Sequence, residues 1–220
     1  MYKLIKGILE FRRKYLQYYR DHFGHLAEGQ SPDALLITCC DSRVAPNAFA
    51  STNPGDVFVM RNVGNIVPTF ESLLTHTGTS EAATIEFSLH YLPVKDIIVC
   101  GHSDCGAMRA LMAGAESIQD PHLRQWLKHC GCDGTQKECV PGVDCSLAPH
   151  NQLAQRNVLQ QLLHLKTYPL VQQRLQEGTL NLHAWYFDLA KGDIYSYEEE
   201  FQRFVLIDEE EAQRILKRLK

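Results

Sequence analysis

The stretch TCCDSRVAP, residues 38 to 46, sets Cys39 and Cys40 side by side and follows them with Asp41 and Arg43. A thiolate is a soft metal ligand or a nucleophile. A carboxylate two residues on can accept a hydrogen bond from a metal-held water, and a guanidinium beside it keeps that carboxylate ionised. A second stretch, GHSDCGAM at 101 to 108, adds His102 and Cys105. Two cysteines and one histidine, with no fourth protein ligand nearby, form the donor set of a catalytic zinc that leaves one position open for water. The set works only if the two stretches meet in space.

The hydrophobic pattern predicts the elements that would bring them together. DALLITC after Pro32, DVFVMRN after the Pro54–Gly55 turn, and KDIIVCGH at 95 to 102 are short apolar runs bounded by turn residues, and each predicts a strand. Helices are predicted over 3–27, 78–92, 105–114 and 119–129, then along a long run after 147 that Pro169 divides or kinks. Alternating strands and helices predict an α/β fold, a mostly parallel central sheet flanked by helices. TLNLHAWYFDL and GDIYSY predict a closing strand pair, and DEEEAQRILKRLK, acids first and bases last, predicts a terminal helix. In an open α/β sheet ligands bind beyond the carboxyl ends of the strands. Cys39 ends the first predicted strand and His102 the third, so neighbouring strands about 4.8 Å apart would let the donors converge. Alternation sends Cys39 and Cys40 to opposite faces, so one ion recruits one of them; alternation alone does not say which.

With 220 residues, 45% of them hydrophobic, the chain can bury one sizeable core. The expected organisation is a single domain over 1–220, with a helical arm at 1–28, a cysteine-rich inserted loop at 130–147 and a helical tail at 198–220. A net charge of −4 with scattered Lys and Arg gives no footprint for nucleic acid or an anionic membrane. No apolar run reaches the roughly 18 residues of a membrane span, and the N-terminus lacks the pattern of a secretory leader, so a cytoplasmic location is expected. Eight cysteines are many for a reducing compartment and too sparse for a disulfide scaffold, which favours metal binding or catalysis. Cys40 and Cys100 are expected to be small core residues. In the insert, Cys130, Cys132, Cys139 and Cys145 lack paired C-x-x-C knuckles, so a flexible, redox-active surface loop is expected over a second zinc site. Any of His76, His90, His122, His129, His150 and His164 could carry protons, and the sequence singles out none.

CCDSRV followed by GHSDCGAM resembles the β-class carbonic anhydrases, whose pattern is C-x-D-S-R and then H-x-x-C. The resemblance runs on through Gln30 in GQSP, GDVFVMRNVGN, EAATIEF, RNVLQQLLHLKTYP and LHAWYFDL, over most of residues 3–197. It implies that Cys39, His102 and Cys105 hold one zinc per chain and that Asp41 with Arg43 forms the catalytic pair beside it. It further implies that Gln30, Phe58, Val63, Phe87 and Gly106 bind the substrate. The implied reaction is reversible hydration of carbon dioxide to bicarbonate and a proton, by a hydroxide formed from zinc-bound water. Some bacterial relatives hold an inhibitory bicarbonate with Trp, Arg and Tyr. Here Leu36 and Phe187 stand at two of those places and only Arg61 is kept, so no such site is expected and Asp41 should stay off the metal. Family members are dimers or multiples of dimers, which implies that the aromatic-rich arm packs on a partner subunit and that Gln30 serves the neighbouring site. The alternatives are a carbonyl sulfide or carbon disulfide hydrolase on the same fold, a non-catalytic zinc scaffold, and a cysteine-nucleophile hydrolase.

Overall fold

The computed structural model describes residues 1–74, 80–135 and 140–218, so His76 and Cys139 lie outside the described residues. The chain opens with two helices, α1 (Tyr2–Lys14) and α2 (Leu16–Phe23), neither of which buries a residue. The sequence predicts one helix over 3–27. Instead the backbone leaves helical geometry at Tyr15 (φ −120°, ψ −15°), and Gly24–Glu28 tightens into a 3-10 turn. No Gly or Pro marks the break; it accompanies an edge-on contact of Phe11 with Tyr19, ring centroids 5.8 Å apart.

The α/β body then runs β1 (Ala34–Cys39), α3 (Pro46–Phe49), β2 (Val57–Asn62), α4 (Phe70–Leu74), α5 (Ser80–Tyr91), β3 (Asp96–His102), α6 (Gly106–Met112) and α7 (Pro121–Leu127). It continues with α8 (Pro149–Leu165), α9 (Pro169–Gln176), β4 (Asn181–Asp188), β5 (Asp193–Glu198), β6 (Arg203–Leu206) and α10 (Glu209–Arg218). Pro169 opens α9 at its first turn, where its missing N–H costs nothing, so two helices form and none is kinked. The sheet order is β2-β1-β3-β4-β5-β6. Strands β2, β1, β3 and β4 are parallel, and β5 and β6 are added antiparallel. The sequence predicts the β4–β5 pair but not β6, whose RFVL run is too short to announce itself, nor the brief helices α3 and α4.

The core lies where α8 crosses the central strands. Leu35, Ile37, Ile97 and Val99 pack with Val158 and Leu165 in one fully enclosed cluster. Gly101 permits that approach, since a Cβ there would sit 2.5 Å from Val158 Cγ2 and 3.3 Å from the Ala154 carbonyl. Cys100 is buried, as expected. Cys40 is not: its N–H bonds to the Asn62 carbonyl at 2.9 Å, but it lies just past β1 and is exposed. The chain turns away from the extended path at this residue, which removes it from the strand interior.

Between α7 and α8 the described residues beyond Cys130 hold neither helix nor strand, as an inserted loop should. The start of the insert is nevertheless fastened down, contrary to a flexible surface loop: Cys130 closes a 3-10 turn (Lys128–Cys130) and is buried in the core. Cys145 is disulfide-bonded, while Cys130 and Cys132 are free thiols. Among the described residues, no helix is long and apolar enough to cross a membrane.

Candidate metal centre

Strands β1 and β3 are direct parallel neighbours, with Thr38 opposite Cys100. Their carboxyl ends therefore deliver Cys39 and His102 to one place, and Cys105, the N-cap of α6, reaches the same point. One donor atom from each of the three lies within 4.8 Å of the others, and all three side chains are buried. His102 Nδ1 donates to the Ser103 carbonyl at 2.8 Å, which fixes the proton on that nitrogen and leaves the Nε2 lone pair facing the thiols. Nε2 is buried and has no hydrogen-bond partner.

An orphaned imidazole nitrogen aimed at two buried sulfurs is costly unless something binds there. A borderline-soft divalent ion such as zinc suits this donor set. One of the sulfurs is already poised to give up its proton: the Cys39 thiol is lowered to about 4, chiefly because Cys105 donates to it, with burial opposing and the Gly64 N–H helping. Cys105 is pushed up in turn, since it keeps the proton the pair shares. The Gly64 N–H lies 3.4 Å from Cys39 Sγ.

Asp41 borders the triad without joining it, its Oδ2 lying 4.0 Å from His102 Nε2. Arg43 grips both carboxylate oxygens, with its backbone N–H and Nε reaching Oδ1 at 3.0 and 2.9 Å and Nη2 reaching Oδ2 at 2.7 Å. These donors hold the Asp41 carboxyl well below its ordinary range. Arg43 Nη2 is aimed in turn by the Asp104 carbonyl at 3.1 Å.

Two residues matter here in ways the sequence reading did not foresee. Arg61 donates to the carbonyls of Cys39, Asp41 and Val44 at 3.0, 2.8 and 2.8 Å, so it braces the loop that carries Asp41 and Arg43. Asp104 adopts φ +54°, takes the Asn151 Oδ1 on its N–H at 2.8 Å and binds Arg109 and His150 through its carboxylate. The signal was an Asp, a residue tolerant of left-handed backbone, wedged between two prospective ligands.

The expected substrate wall is only partly assembled within one chain. Phe58 and Phe87 meet as tilted rings, centroids 5.8 Å apart, across β2 and α5, but Phe87 and Val63 remain about two-fifths exposed, at 43% and 41%, and Gln30 is exposed as well. Gly106 follows Cys105, and a Cβ placed on it would meet nothing within 4 Å. Leu36 and Phe187 lie in an apolar cluster with Val44 and Cys100. Of the histidines, His150 pairs with Asp104 at 2.9 Å, His164 is buried against the Val67 carbonyl, and His90 and His122 are exposed.

The sequence model of the family described as "Carbonic anhydrase" matches residues 34–194. The chain is 38% identical to the carbonic anhydrase of Pseudomonas aeruginosa over 209 residues, covering 95% of this chain and 93% of that one. It is 37% identical to the carbonic anhydrase of Synechocystis sp. over 216 residues, 93% of this chain and 74% of that one. Among solved structures, the β-carbonic anhydrase CcaA matches with a TM-score of 0.83 at 37% identity, covering 94% of this chain and 98% of that one. A tetrameric β-carbonic anhydrase from Sordaria macrospora matches at 0.68 and 29% identity, over 88% and 96%. With a family match over most of its length and a shared sheet that delivers Cys39, His102 and Cys105 to one point, the chain belongs to the β-carbonic anhydrase family.

Proposed function

We propose that the chain is a lyase that interconverts carbon dioxide and bicarbonate, with a single zinc held by Cys39, His102 and Cys105. The observation that carries this reading is the orphaned Nε2 of His102 facing two buried, proton-sharing thiols. Zinc bound there acidifies a water molecule and so supplies a nucleophile at neutral pH. The chain supplies the rest. Asp41, kept ionised by Arg43, is an obligate acceptor and orients the attacking water through its proton. Because the guanidinium occupies both of its oxygens, Asp41 acts from beside the ion and leaves the fourth position open. The intact Asp41–Arg43 pair also speaks against a scaffold that has lost its chemistry.

Carbon dioxide carries no charge, so apolar surface from Phe58, Val63 and Phe87 suits it, and Gly106 leaves room beside the donors. Gln30 would add an amide donor from a neighbouring subunit. The arm supports such an assembly: Leu4, Ile8 and Tyr18 are 67%, 54% and 55% exposed on helices that bury nothing, a patch that water disfavours. We assign it to a second copy of the chain, in a dimer or a dimer of dimers. No inhibitory bicarbonate site is proposed, because Arg61 is committed to three carbonyls and Leu36 and Phe187 offer no polar group.

The test combines zinc analysis with a stopped-flow carbon dioxide hydration assay. One zinc per chain is expected, with activity lost to a chelator and restored by zinc. Asp41→Ala should retain its zinc and lose about 100-fold in kcat/KM, the scale of a positioned proton acceptor. Full activity in that variant removes Asp41 from the mechanism, and a chain that binds no zinc overturns the reading.

A further inference from the structure

Two cysteines of the insert are placed for chemistry that the metal centre does not use. Cys130 is 1% exposed, and Gly131 follows it at φ +71°, a left-handed turn that brings Cys132 back beside it. The two thiols lie within hydrogen-bonding reach of each other, and the Arg156 guanidinium acts on both. The Cys132 S–H and this cation lower the Cys130 thiol against the effect of burial, while Cys132, which keeps the shared proton, is raised. Cys132 opens on a cavity of about 260 Å³ that is also lined by Asp133, Val140, Arg156 and Gln160, so a small molecule can reach it.

A separate set of contacts ties this pair to the metal centre. The Cys130 thiol donates to Asn157 Oδ1 at 3.2 Å, and Asn157 Nδ2 donates to the Gly64 carbonyl at 2.9 Å. The N–H of the same Gly64 is the group that meets Cys39 Sγ at 3.4 Å. Gln161 reinforces the path: its Nε2 reaches the Cys130 carbonyl at 2.9 Å and Asn157 Oδ1 at 2.8 Å, and its Oε1 accepts the Val67 N–H at 2.9 Å. Cys130 thus sits two side-chain contacts from the residue that touches a metal-ligating sulfur.

We propose that Cys130 and Cys132 are a redox-active dithiol that reacts with low-molecular-weight disulfides, and that its oxidation loosens the metal centre through Asn157 and Gly64. One thiolate attacks a sulfur of the small disulfide, forming a mixed disulfide and expelling one small thiolate. The second cysteine then gives its proton to solvent and attacks the mixed disulfide, expelling the other small thiolate and closing the Cys130–Cys132 bond. Two electrons pass from the protein pair to the small disulfide, which leaves as two thiols. Closure draws the sulfurs to about 2.0 Å and removes the S–H that Asn157 accepts. Asn157 is then released from one of its anchors, and the Gly64 peptide it holds can draw back from Cys39.

The second half of this inference rests on the metal assignment above; the first does not. The zinc-loaded protein is equilibrated with reduced or oxidised glutathione, alkylated and peptide-mapped, and zinc release to a chromogenic chelator is timed on the same samples. Oxidation should yield a Cys130–Cys132 linkage and speed zinc release on the order of 10-fold, the scale of losing an outer contact to a metal ligand, with reduction restoring both. Cys132→Ser and Cys132→Ala cannot close the bond and should release zinc equally in the two buffers. Full alkylation of both cysteines under oxidised glutathione overturns the proposal. So does a linkage that leaves zinc release unchanged, the same acceleration in the Cys132 variants, or a second zinc that shields both thiols. A protein that never takes up zinc refutes the metal assignment instead, while the linkage remains readable.

Discussion

Asp41 is a carboxylate whose usefulness depends on its neighbour. Arg43 fills one face of it with three donated hydrogen bonds, which keeps it charged and turns its remaining lone pair toward the metal donors. The depressed pKa means that the charged form is the one the fold favours. Its stabilising contribution is therefore complete above the unfolded value near 3.8 and is lost as pH falls through the lower folded value. Arg43→Gln removes the largest cause of that depression, so Asp41 should protonate at a higher pH. Followed by carboxyl NMR, the Asp41 titration is expected to move upward in this variant, with zinc content unchanged at neutral pH, and a titration that stays in place would show that Arg43 does not set the ionisation of Asp41.

At the level of elements, the site depends on how closely α8 lies against β3. Gly101 sits one residue before His102 at the closest approach, and the atoms a Cβ would strike include the Ala154 backbone carbonyl, which cannot swing aside. Gly101→Ala should cost about 1–3 kcal/mol of stability in urea unfolding, typical of an overpacked core, and should weaken zinc retention by shifting His102. The strands that make the site were legible in the sequence, because LLIT and IIV are short apolar runs bounded by turn residues, whereas their direct pairing stood only as a condition until the sheet order supplied it. Their ends fell where Cys39 and His102 stand. What the sequence hid were bonds to backbone groups: the three carbonyls held by Arg61 and the carbonyl of Asp104 that aims Arg43 have no residue type to announce them. Cys40 was misplaced for a related reason. It was read as a strand residue and therefore as core, whereas β1 ends at Cys39 and leaves Cys40 exposed.

For the molecule as a whole, the arm and the metal site pose different demands. The arm's apolar face is exposed among the described residues, and its proposed burial by a second copy predicts that Ile8→Glu shifts sedimentation toward the monomer. Far-ultraviolet circular dichroism should be nearly unchanged, because the residue supports no intrachain packing; an unaltered sedimentation coefficient would place the interface elsewhere. The proposed metal donors, by contrast, lie entirely within the chain yet come from the end of β1 and from the β3–α6 junction, with α3, β2, α4 and α5 between them. His102 and Cys105 are three residues apart, but Cys39 reaches them only once β1 has found β3, a non-local pairing that must pay its loop-closure entropy first. A disordered chain therefore offers an ion only the two-donor His102–Cys105 pair, and the third donor arrives with the fold. On the proposed metal assignment, full coordination waits for that pairing, and the energy of binding then deepens a native basin that the apolar strands have already chosen.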